Sequence, residues 1–136
     1  MSNVFANISG ALDTHLDDMV GRPPVAWENK KFTPTIGELY LRPVNMQGDT
    51  VAVTSLQDET VGVYEIEIFA PANEGKEEIT KMADTIADRF KQDTLLTYLL
   101  QEVRVRNVKR GASRPSVDGW VTLSVDVIYY AFSDKR

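Results

Sequence analysis

From Gly62 to Phe69 the chain alternates strictly, with Tyr64, Ile66 and Ile68 on one side of an extended strand and Val63, Glu65 and Glu67 on the other. Past Pro71 the period changes. Ile79, Met82, Ala83, Ile86, Ala87 and Phe90 recur at the spacing of one helical face, with Glu74, Glu77 and Glu78 near its start and Arg89 and Lys91 at its end, where the helix dipole favours each sign. The break at Pro71 therefore predicts a helix laid back on the apolar face of the preceding strand. Ile79, Met82, Ile86 and Phe90 are expected to pack on Tyr64, Ile66, Ile68, Val121, Leu123 and Val125.

An earlier helix is predicted from Ser2, a candidate cap, through Phe5, Ile8, Leu12, His15 or Leu16, and Met19, ending at Gly21 before Pro23 and Pro24. "GELYLRPVNM" reads as a strand in which Pro43 implies an edge position or a bulge. Residues 47–59 are polar around the island Val51–Val53, and suit either a hairpin arm or a loop. "TLLTYLLQ" suits strand or helix, "EVRVRNVKR" is a strand, "GASRPSVDG" a loop and "WVTLSVDVIYYAF" a long last strand. The order αβββαββ predicts a single α+β domain over residues 1–136, with a mostly antiparallel sheet, mixed pairing being the alternative, and both helices on one face. The other face is expected to carry Glu65, Glu67, Arg104, Arg106, Thr122, Ser124 and Asp126. The stretches 47–59 and 109–118 hold too little apolar surface to order themselves and are expected to order on assembly.

Charge changes the picture only locally. Residues 1–100 carry 16 acids against 8 bases and residues 101–136 carry 4 against 7, within a net charge of −5. A net acidic chain is a poor general ligand for nucleic acid, whose binding rests on neutralised phosphates. The basic stretch Arg104–Arg114 alternates with valines and has no aromatic residue for base stacking, so it reads as a strand face. There is no cysteine, no secretory leader is apparent at the N-terminus, and no apolar run approaches the ~20 residues of a membrane span. The pairs Asp13/Asp17 and Asp84/Asp88 have the spacing of a helical metal pair but read more simply as solvated faces. His15, the single histidine, reads as a half-buried structural residue. With no phosphate loop and no nucleophile elbow, the chain is read as no enzyme, with no catalytic, metal or cofactor residues.

Several strings are similar to a known family. "VAWENKKFTPTIGELYLRP", Val25 to Pro43, resembles a run with an aromatic residue, Glu-Asn, a Phe-x-Pro turn and a Tyr-Leu-Arg strand. "GVYEIEIFAPANEG" resembles the central strand of the same family, and "ADTIADRF" and "DGWVTLSVDVIYY" its later pieces. The chain is identified on these as a member of the siphophage tail terminator, or tail completion, proteins. The resemblance implies a hexameric ring that caps the finished tail tube, stops its polymerisation and presents the opposite face to the head connector. It implies the virion tail as location, after assembly in the host cytoplasm. The partners it implies are other copies of the chain, the tail-tube protein and the connector; DNA only passes through the lumen, and no membrane or cofactor is involved. It transfers Tyr64 and Trp120 as sheet positions and Pro34 and Pro71 as turns. Around "QGDTVAVTSLQDETV" the chain departs from the pattern.

Two sets of site residues follow. Glu65 and Glu67 against Arg104 and Arg106 are candidate subunit-interface rows, since opposite charges suit the two unlike patches of a head-to-tail ring. Asp49, Asp58, Glu59, Lys109, Arg110 and Arg114 are candidate partner-binding positions, assigned to loops. The alternatives are another neck component, such as a head-completion or adaptor protein, and a small ligand-binding α+β domain with its site near residues 47–59.

Overall fold

Why the strand after Gly62 carries two different faces is visible once its neighbours are known. A computed structural model describes residues 3–35, 37–72, 77–115 and 119–134. In chain order the elements are α1 (Val4–Asp17), β1 (Tyr40–Ala52), β2 (Gln57–Pro71), α2 (Glu77–Arg89), β3 (Leu95–Tyr98), β4 (Gln101–Arg110), β5 (Arg114–Pro115) and β6 (Trp120–Asp134). The sheet runs β1-β2-β6-β4-β3, every ladder antiparallel, with the short β5 also paired to β6. Tyr64, Ile66, Ile68, Leu123, Val125, Val127 and Tyr129 are buried on one face with Ile8, Leu12 and Leu16 of α1 and Ile79, Ala83 and Ile86 of α2. The fold is α+β, and both helices share that face.

The element order is αββαββββ rather than αβββαββ. Val25 adds only a single parallel bridge to Leu41, and "TLLTYLLQ" resolves as the strand β3. Residues 47–59, for which the sequence left a hairpin arm or a loop open, form a hairpin arm of β1 and β2 joined at residues 53–56. Helix α1 ends at Asp17, earlier than Gly21; Gly21 then turns the chain at φ +73°. Its buried stripe is Val4, Ile8, Ala11, Leu12 and Leu16, and Phe5 is exposed. The proposed cap Ser2 lies outside the described residues, as do Glu74 and residues 116–118. Pro43 does sit on an edge strand, where its missing N–H removes no ladder bond.

The apposed helix ends are joined reciprocally. His15 Nε2 donates to the Arg89 carbonyl at 2.7 Å, and Arg89 Nε donates to the His15 carbonyl at 3.0 Å. Each bond satisfies a carbonyl left without a partner at a helix C-terminus. Burial holds the His15 imidazole below its ordinary pKa, so its charging weakens the fold as pH falls through the histidine range. Asp17, in the last turn of α1, pairs with Arg22 at 3.2 Å. Asp13 does not pair with Asp17. It accepts a hydrogen bond from the Tyr64 hydroxyl at 2.5 Å, and burial raises both groups above their ordinary ranges.

Candidate intersubunit surface

The face of the sheet away from the helices is built in rows by register. Tyr40, Phe69 and Thr122 form the first, Arg42, Glu67 and Ser124 the second, and Val44, Glu65, Asp126 and Lys109 the third. The fourth holds Met46, Val63, Ile128 and Asn107, and the fifth Val61, Tyr130, Arg104 and Leu95. An aromatic group closes the first row: the Tyr40 and Phe69 rings stack at 4.7 Å, with Trp120 edge-on to Tyr40 at 5.1 Å. The last two rows are apolar on β1, β2, β6 and β3 but carry Asn107 and Arg104 on β4. One end of the face is thus aromatic, the middle charged and the other end mainly apolar with one arginine.

The charged rows are unevenly compensated. Arg42 binds Glu67 at 2.5 Å and lies over the Phe69 ring. Glu65 stands directly across from Asp126, with Glu67 two residues along its own strand. Burial first, then Asp126 and Glu67, raise the Glu65 carboxyl above the usual range, against the pull of Arg42. Among the described residues Oδ1 of Asp126 is buried without a hydrogen-bond partner. A raised acid stabilises the fold below its unfolded pKa and loses that advantage as pH rises through the folded value. Glu65→Gln is therefore expected to raise the melting temperature of the isolated subunit at neutral pH and to leave it unchanged below about pH 4. Thermal denaturation at the two pH values checks this, and a lower melting temperature at neutral pH contradicts it.

A family model described as phage tail terminator protein matches residues 7–129, from the second turn of α1 into β6. The chain belongs to this family. It is a structural component of a phage tail, in a family that is structural and not known as enzymatic. A solved structure 24% identical in sequence superposes with a TM-score of 0.77 over 99% of both chains, which shows a shared fold. No curated protein matches the chain.

On this terminator fold, Glu65, Glu67, Arg104 and Arg106 do share the uncovered face, but the two rows are not adjacent. Strand β6 separates them, and each has partners within its own subunit. Arg106 reaches Glu59 at 3.7 Å and lies 4.6 Å over the Tyr130 ring, while Arg104 donates to the Asp93 carbonyl. Arg106 is the extra residue of a β-bulge between Val105 and Asn107. The valines carried the signal, since Val103 and Val105 are odd-numbered and Val108 even. Reading the stretch as an unbroken strand missed the shift.

The six positions assigned to loops lie instead in strands. Asp49 is in β1, Asp58 and Glu59 in β2, Lys109 and Arg110 in β4, and Arg114 in β5. Asp58 is buried, so it offers no surface to a partner. The bulge turns Arg110 to the helix face, where it pairs with Asp84 of α2. That pair also gives Asp84 a role other than metal ligation beside Asp88. Among the described residues no three acids or histidines are grouped to hold a metal.

Proposed function

We propose that the chain assembles into a closed head-to-tail ring, a hexamer, on the end of a siphophage tail tube. There it stops elongation and offers its far side to the head connector, with DNA passing through the lumen. The observation that carries this reading is the uncovered sheet face. It has apolar positions next to an acidic pair, Glu65 and Asp126, in which the Glu65 carboxyl is raised and, among the described residues, Asp126 Oδ1 is buried without a hydrogen-bond partner. A cation from a neighbouring copy relieves that patch, and the Arg104 and Arg106 row supplies cations on the same chain. Such pairing sets angle and register between subunits more than it adds affinity.

Electron microscopy of tubes assembled with and without the protein tests the role. The native chain is expected to give capped tubes of uniform length. Arg104→Glu with Arg106→Glu is expected to stay folded, because exposed ion pairs are worth about 1 kcal/mol or less, yet to leave tubes uncapped. Adding Glu65→Lys, beside Glu67 and Asp126, is expected to restore capping. Normal capping by the double reversal removes the charged rows from the interface. Tubes that overrun with the native chain present reject the terminator role itself.

A further inference from the structure

The connection between β3 and β4 is a two-residue turn, since Tyr98 pairs with Gln101 and only Leu99 and Leu100 intervene. Both have positive φ, +48° and +70°. Paired positive φ values are the pattern of a type I′ hairpin turn, which selects Asn-Gly or Asp-Gly because a Cβ there is strained. Here the two residues are leucines, and both are solvated as well: Leu99 is 71% exposed and Leu100 96%. Folding gains nothing from either. A strained backbone carrying two solvated aliphatic side chains is a feature to explain by what it meets.

The other features of the molecule show where it goes. Strand β3 is one edge of the sheet and β1 is the other, four strand spacings or about 19 Å away. Outside β1, the segment from Ala26 to Pro34 folds back and leaves a cleft of about 340 Å³ whose walls include Trp27, Phe32, Pro34, Tyr40 and Val44. A knob on one edge and an aromatic-walled, partly charged hole beside the opposite edge are the two unlike patches that a head-to-tail contact requires. The charge nearest the turn is Glu102, with Arg104 two residues further along β4, whereas the cleft walls contribute Lys30, Arg42 (itself paired with Glu67) and Glu28.

We infer that the Leu99–Leu100 turn of one copy inserts into the cleft between Trp27, Phe32, Tyr40 and Val44 of the next. The inference rests on the ring reading and gives it a specific contact. A closed ring satisfies every turn and every cleft, and the strain of the turn is retained because only large apolar side chains at its tip fill the neighbour.

The absence of cysteine from the chain supplies the reporter. Purified protein carrying Leu100→Cys together with Val44→Cys is expected to form a ladder of covalent multimers on mild oxidation, and either cysteine alone is not. Leu99→Asn with Leu100→Gly, which installs the residues such a turn favours, is expected to melt at or above the native temperature while self-association falls at least tenfold. Absence of the ladder, or native self-association of the Asn-Gly variant, overturns the contact. Tube capping by the same proteins separates the two readings. A ladder without capping keeps the contact and rejects the terminator role, whereas capping without a ladder keeps the role and rejects the contact.

Discussion

Replacing Phe90 by alanine is expected to cost about 3–5 kcal/mol, a large share of the roughly 5–15 kcal/mol that holds a typical domain together. Phe90 is fully buried where α2 ends, edge-on to the His15 ring at 4.9 Å and 6.0 Å from the Tyr64 ring. Truncation removes apolar area from the core and opens a void beneath the joined ends of α1 and α2. The surroundings resist collapse, because His15 and Arg89 are each tied to the other's carbonyl and Tyr64 is tied to Asp13. Urea unfolding of the isolated subunit measures the loss. A change below about 1 kcal/mol means that the pocket closes and that this corner is softer than its hydrogen bonds imply.

Gly62→Ala is expected to be the next most damaging single change, about 1–3 kcal/mol from overpacking and about 1 kcal/mol more from a broken hydrogen bond. A Cβ at position 62 falls 2.5 Å from the Tyr129 hydroxyl and 3.0 Å from the Met46 carbonyl oxygen. The ring of Tyr129 crosses the glycine so that its hydroxyl can donate to Asn45 Oδ1 at 2.6 Å; Asn45 in turn donates to Ser9 Oγ at 2.7 Å. Burial pushes the Tyr129 hydroxyl up to about pKa 12, against the lowering effect of its hydrogen bond to Asn45. The added methyl forces the ring away and breaks its hydrogen bond to Asn45. Pairing Gly62→Ala with Tyr129→Phe separates the effects. If the methyl acts through the hydroxyl contact, the double variant loses less than the sum of the singles. Additive losses assign the damage to the backbone at Met46.

Much of the fold was legible because it depends on local period. Alternation in β2 and β6 assigned Tyr64, Ile66, Ile68, Val121, Leu123 and Val125 to the core face before any partner was known, and all are buried except Val121, which is half-buried. The 3.6-residue stripe placed Ile79, Met82, Ile86 and Phe90 against them; Met82 is half-buried and the other three are fully buried. Pro43 marked an edge strand. The membership of Glu65, Glu67, Arg104 and Arg106 in one uncovered face was also readable, since each lies opposite a valine or isoleucine in its own strand. The terminator resemblance rested on the same strands, and the family match from residue 7 to residue 129 agrees with it.

What the chain did not reveal is what depends on partners distant in sequence. That β6 lies between β2 and β4, and so keeps the acidic row from the arginines, follows from long-range pairing that no local window contains. Asp13 looked like one of a solvated pair because its partner, Tyr64, is 51 residues away. A glycine at 62 reads as a weak strand residue until Tyr129 is seen to cross it. The Leu99–Leu100 turn contradicts local preference outright, as two leucines predict helix or strand and not positive φ. The sequence alone determined which residues face inward, since side-chain direction along a strand or helix repeats with a fixed period. Only the tertiary structure decided which inward and outward faces meet, because strand order and bulge phase are set by the best joint packing of the whole sheet.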